Sequence, residues 1–122
     1  ALKELDFFQL PYENTNYEHG YQSYPCMFDI KNASLNKIKT VNEKRNMFMD
    51  ALQKKGVSTR PATHAVHMLQ YYREKYEVQA EDFPNAYIAN ECSISFPLFN
   101  GLTDEEQCFV IKSMKEGYLN GY

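Results

Sequence analysis

Apolar residues along this chain change their spacing several times, and each change predicts an element. Leu2, Leu5, Phe8 and Leu10 recur at helical spacing. They predict the last turns of a helix that stops before Pro11, because the residue ahead of a proline is pushed out of the helical region. Tyr24, Cys26, Phe28 and Ile30 alternate with period two, so a strand is predicted from about Gly20 to Ile30. Pro25 cannot donate to a sheet ladder, which predicts an edge or a bulge there. Residues 31–39 are polar and read as a loop.

Thr40-Val41-Asn42-Glu43 has the form of a capping box, and Met47, Phe48, Ala51 and Leu52 follow at helical spacing. Lys54 and Lys55 suit the negative end of that helix, and Gly56 suits the left-handed residue just past it. Val57-Ser58-Thr59-Arg60 reads as a short strand ended by Pro61. Met68, Leu69, Tyr72 and Tyr76 predict a short helix over 68–76, and residues 80–82 a break. Pro84 fits the first turn of another helix, with Asp82 as a possible cap and Ala86, Tyr87 and Cys92 toward the core. Ile94, Phe96 and Leu98 alternate again, and Asn100-Gly101 marks a turn. Thr103-Asp104-Glu105-Glu106 is a second capping box, opening a helix with Val110, Ile111 and Met114 on its apolar face, stopped by Gly117. Residues 118–122 read as a tail that frays. The predicted class is α+β, a small, largely antiparallel sheet with helices packed on one face.

Composition bounds the function classes. The 122 residues make about one domain, with 43% hydrophobic and 24% charged residues, enough to bury a core. A net charge of −3 argues against nucleic-acid binding, which needs a basic face. No apolar run reaches the roughly 18–20 residues that span a bilayer. The chain opens Ala1-Leu2-Lys3-Glu4-Leu5, with no Met and no secretory pattern, and reads as a piece of something longer. Cys26, Cys92 and Cys108 are odd in number and widely spaced, which predicts reduced thiols in a cytosolic protein, packed as small hydrophobes. Ten tyrosines stand beside eight Phe and no Trp, and composition does not choose between ordinary packing and a second use for them. Some of them could line an interface or a pocket.

Common catalytic motifs are missing: there is no GxGxxG, GxxxxGK[ST], HExxH or GxSxG. Chemistry-bearing side chains concentrate in Arg60-Pro61-Ala62-Thr63-His64-Ala65-Val66-His67. Arg60 offers a planar donor fork for carboxylate or phosphate. His64 and His67 can donate, accept or exchange protons near neutral pH. One helical turn between them would set both rings on one side. A zinc site needs about four ligands, however, and no third or fourth is nearby in sequence, so no metal is expected. Paired acids such as Glu105 and Glu106 read as helix-start residues facing solvent.

Three ordered stretches carry a resemblance. They are Gly56-Val57-Ser58-Thr59-Arg60-Pro61 on through His67, then Asp82-Phe83-Pro84-Asn85-Ala86, then Ser95-Phe96-Pro97-Leu98-Phe99 with Leu102-Thr103-Asp104-Glu105-Glu106-Gln107. Together with His19-Gly20-Tyr21-Gln22-Ser23-Tyr24, they resemble the C-terminal part of the DegT/DnrJ/EryC1/StrS aminotransferases, pyridoxal-phosphate enzymes that aminate keto groups on nucleotide-linked sugars. The resemblance implies the small C-terminal domain of a fold type I transferase over 19–122. Residues 1–18 would lead in as the end of a linking helix, and the large cofactor-binding domain would be absent. It further implies a full-length cytoplasmic homodimer that moves an amino group, typically from glutamate, to a keto-sugar nucleotide in cell-surface polysaccharide or related sugar biosynthesis. The Schiff-base lysine and the groups that hold pyridoxal 5'-phosphate would lie outside this chain, so no catalytic residue is expected here and the piece alone would be inactive. Arg60, His64 and His67 would be substrate-binding. Arg60 would meet the nucleotide's phosphates or the donor's carboxylate. His67 matches the family's more regular histidine position, while His64 stands where other branches carry an aromatic residue.

Read from the residues alone, a free-standing small-molecule-binding or regulatory α+β module remains an alternative, as does a tyrosine-rich interaction domain. The upstream reading frame separates them: a large α/β domain with a Schiff-base lysine favours the aminotransferase, and a start codon at this chain's beginning opposes it.

Overall fold

The computed structural model describes residues 2–119 and Gly121. Among the described residues, three strands form one antiparallel sheet in the order β1 (Phe8–Gln9), β2 (Tyr24–Phe28), β3 (Ser93–Phe96). Four α-helices accompany it: α1 (Ile38–Lys54), α2 (Gln70–Tyr76), α3 (Pro84–Cys92) and α4 (Asp104–Leu119). The class is α+β, as the pattern predicts. The pairings Phe8↔Phe28, Cys26↔Ile94 and Tyr24↔Phe96 put these six side chains on one sheet face. Five of the six are buried there. Phe48 of α1 closes the centre, with ring centroids 5.5 Å from Phe28, 5.8 Å from Phe8 and 6.0 Å from Phe7.

The predicted N-terminal helix is not formed. Leu2–Glu4 makes a single 3-10 turn and Phe8 enters β1, because pairing with β2 satisfies its backbone and buries its ring. Pro25 lies in the middle strand but past the end of β1, so the side its nitrogen faces is locally an edge, as the proline predicts. Both backbone groups of Ser95 turn to Arg60 on the far side, so Pro25 faces Ser95 in a non-hydrogen-bonded pair. Its missing N–H would point toward the β1 side, beyond the last β1 residue, so no ladder bond is lost.

Helix α1 starts at Ile38, two residues before the predicted Thr40 box. Its buried positions are Ile38, Val41, Arg45, Phe48 and Leu52, while Met47, predicted on the apolar face, is exposed. Burying Ile38 is worth about 1.5–3 kcal/mol and outweighs a cap worth roughly 0.5–2. Gly56 does follow the helix with φ 82°. The predicted 57–60 strand shrinks to one bridge, Arg60↔Ser95. Asp82 caps a 3-10 turn by accepting from Gln79 N at 2.7 Å, leaving Phe83 as the N-cap of α3 and Pro84 in its first turn. Ala86 stays exposed, as does Leu98 beyond the shorter β3.

Helix α4 opens as predicted. Glu106 N donates to Thr103 Oγ1 at 3.2 Å, and Thr103 N donates to Glu106 Oε2 at 2.9 Å. Gly117 does not end this helix. A Cβ there would come within 3.2 Å of the Phe48 ring, so the glycine lets α4 approach the core. Of the tail expected over 118–122, Tyr118 and Leu119 belong to α4, while Asn120 and Tyr122 lie outside the described residues. Thr103→Ala should cost roughly 0.5–2 kcal/mol, and Ser58→Ala, at an exposed site with no cap, much less. Urea melts of the two variants check this, and equal midpoints would show that the box contributes nothing.

Candidate functional site

Residues 60–65 run beside β3 like an irregular fourth strand. Arg60 N donates to Ser95 O at 3.2 Å, and Ser95 N donates back to Arg60 O at 2.7 Å. The Ser93 hydroxyl accepts from Ala62 N and from Thr63 N, both at 3.2 Å. Ala65 N donates to Asn90 Oδ1 at 3.0 Å. The segment then turns into the 3-10 stretch Val66–Met68.

This path decides what the three predicted site residues share. Among the described residues no hydrogen bond or ring contact joins Arg60, His64 and His67 to one another. Ala65 is extended, so no helical turn stacks the two imidazoles as the spacing suggested. Arg60 and His64 are exposed. Among the described residues no carboxylate pairs with the Arg60 guanidinium, and Arg60 lines a cleft of about 390 Å³ between the hydroxyl-bearing Ser58, Thr59 and Ser95 and the apolar stretch 96–99. His67 is half-buried with its ring 5.1 Å from Phe83, and its Nε2 is buried without a hydrogen-bond partner among the described residues. A buried ring nitrogen left without a partner is uncommon. No group of three or more metal-ligating side chains comes together among the described residues.

Sequence reasoning missed the polar assembly beneath this segment. Helix α3 passes straight into β3, so its last carbonyls have no glycine turn to satisfy them. Side chains of α1 supply the donors. Arg45 Nη1 donates to Asn90 O and to Ser93 O, both at 3.1 Å, and Asn42 Nδ2 donates to Glu91 O at 3.0 Å. The other edge of the guanidinium donates to Asn46 Oδ1, from Nη2 at 2.8 Å. Burial lowers the Arg45 pKa from its ordinary value, and nearby Glu91 acts the other way. One signal was legible: Arg45 occupies a core position of α1, where an arginine requires partners.

Eight of the ten lysines are exposed, and the other two, Lys55 and Lys115, are tied to Glu116 at 2.7 Å and Glu4 at 2.9 Å. Burial raises the thiols of Cys26 and Cys92 to about 12 and about 11, which leaves them unreactive, while Cys108 is exposed.

The family model of the DegT/DnrJ/EryC1/StrS aminotransferases matches residues 2–115. The chain belongs to this family. Among similar proteins, MJ1066 of Methanocaldococcus jannaschii is 26% identical over 99 residues, 81% of this chain and 24% of that protein. The spore coat polysaccharide biosynthesis protein SpsC of Bacillus subtilis is 20% identical over 95% of this chain and 28% of its own length. The chain therefore spans about a quarter of these relatives. The same fold occurs in Spr1654 of Streptococcus pneumoniae, a candidate sugar aminotransferase solved in its PLP-form. The TM-score is 0.76 at 23% identity, over 95% of this chain and 27% of that one. No helix among the described residues is long and apolar enough to cross a membrane.

Proposed function

We propose that these residues form the small C-terminal domain of a pyridoxal-phosphate aminotransferase acting on a nucleotide-linked keto-sugar, with glutamate as amino donor. The family match over 2–115 carries this reading. The SpsC name supports a role in cell-surface polysaccharide or related sugar synthesis. The cofactor and its lysine belong to a large domain outside these residues, so the 122 residues alone do not transaminate. The full-length enzyme is a cytoplasmic homodimer. Residues 60–67 face the cleft between domains. Arg60, unpaired and exposed beside hydroxyl groups, binds the nucleotide's phosphates or the donor's carboxylate through its donor fork. His67 Nε2 finds its partner in that cleft, and His64 contributes from the exposed side.

Steady-state kinetics on the full-length enzyme with a nucleotide keto-sugar and glutamate test this. Arg60→Lys keeps the charge but not the fork, and should raise KM for the charged substrate about tenfold with the fold intact. If His67 exchanges protons, His67→Asn lowers kcat and removes one limb of the pH profile; if it only binds, KM rises alone. His64→Phe should be the mildest. Wild-type parameters for both Arg60→Lys and His67→Asn would sink the assignment of this segment.

A further inference from the structure

The hydrogen bonds beneath the 60–67 segment converge on few atoms. One buried hydroxyl, Ser93 Oγ, accepts two successive amides, Ala62 N and Thr63 N. One side-chain carbonyl, Asn90 Oδ1, accepts Ala65 N. The backbone carbonyls of these same two residues, Asn90 and Ser93, are both held by Arg45 Nη1. Arg45 and Ser93 are 5% and 2% exposed, so neither reaches a substrate itself. A buried guanidinium that spends its donors on carbonyls and an amide oxygen, with no carboxylate in hydrogen-bond contact, is a costly way to hold a helix end. It becomes intelligible when the two residues it braces are the ones that grip the segment carrying Arg60, His64 and His67.

We propose that Arg45, Asn90 and Ser93 are positioning residues that set the substrate-facing conformation of residues 60–67, Arg45 acting through the other two. This rests on the reading of that segment as substrate-binding. Fixing backbone amides at three points before substrate arrives removes ordering that binding would otherwise have to supply. Releasing them should therefore weaken substrate binding more than it slows chemistry.

The test is Ser93→Ala in the full-length enzyme, with Ser93→Thr as the variant that keeps the hydroxyl. Hydrogen exchange is read by mass spectrometry on peptides spanning 61–66, beside steady-state kinetics with a nucleotide keto-sugar. Ser93→Ala should accelerate exchange at residues 62 and 63 at least tenfold. It should raise KM for the sugar nucleotide about tenfold, with kcat within about twofold. Ser93→Thr should restore both. Thr103→Ala, which removes a helix cap and none of these hydrogen bonds, should change neither.

Unchanged exchange in Ser93→Ala overturns the inference. So does faster exchange with wild-type kinetics while Arg60→Lys is impaired, which leaves the substrate assignment standing. Wild-type kinetics in Ser93→Ala and Arg60→Lys alike overturns the substrate assignment and this inference with it. Should Ser93→Ala fail to fold, Asn90→Ala, which frees the Ala65 amide and Glu91 Oε1, is read by the same two measurements, with faster exchange expected at residue 65 and the same results overturning the inference.

Discussion

Phe48→Ala is expected to lower the unfolding free energy by about 3–5 kcal/mol, the largest stability loss of any single truncation proposed for this domain. Phe48 is fully buried and touches three phenylalanine rings from two strands and the segment before them. Truncation loses the transfer energy of the ring and leaves a hole beside Gly117, which has no side chain to fill it. Domains of this size have about 5–15 kcal/mol in all, so the variant sits near the folding threshold. Phe48→Leu, which leaves a much smaller void, should cost well under half as much. Urea melts with an unchanged slope and a shifted midpoint would carry the result. A loss below about 1 kcal/mol would mean that α1 and α4 pack around another centre.

Arg45→Met is expected to cost about 2–4 kcal/mol. Two effects oppose each other. Methionine relieves the desolvation of a buried charge, and replacing buried ions by apolar groups is often neutral when both partners go. Here only one goes. The carbonyls of Asn90 and Ser93 stay in place and lose their donor, at roughly 1–3 kcal/mol each when buried. The orphaned carbonyls therefore win. Arg45→Lys should recover part of the loss, since an ammonium's three donors leave one centre and cannot reproduce the guanidinium's spread from the Asn90 and Ser93 carbonyls to Asn46 Oδ1. The midpoint of urea unfolding measures both variants, and a methionine variant within about 0.5 kcal/mol of wild type would show that these bonds carry no net weight.

Local chemistry was legible wherever its signal is complete within a few residues. The Thr103 box, the glycine at 56 and the proline at 84 each need only their neighbours, and the structure has all three where the sequence predicts them. Period-two alternation likewise identified Cys26, Phe28, Ile94 and Phe96 as one buried face. The ordered stretches at 56–67, 82–86 and 95–107 pointed to the family that the match over 2–115 shows. Other features depended on residues far away in the chain. Helical spacing at Leu2, Leu5 and Phe8 gave way to β1 because a strand partner some twenty residues on offered burial and a ladder together. The Thr40 box lost to the burial of Ile38, whose value exists only once α1 lies on the core. Gly117 looked like a stop and proved to be a space, since the ring that fills it comes from α1.

The candidate site divides along the same line. Arg60, His64 and His67 stood out by residue type alone, because guanidinium and imidazole carry their chemistry with them. What holds them did not. Ser93 reads as one polar position in an alternating strand and Asn90 as an ordinary helix residue, and Arg45, though at a core position of α1, has its partners far away in the chain. Only folding brings an α1 guanidinium to the α3–β3 junction and a strand hydroxyl beneath two loop amides. A capping box is written in adjacent residues because its hydrogen bonds close within one turn. The support of this segment spans 25 to 48 residues of sequence, so only the tertiary contacts decide it.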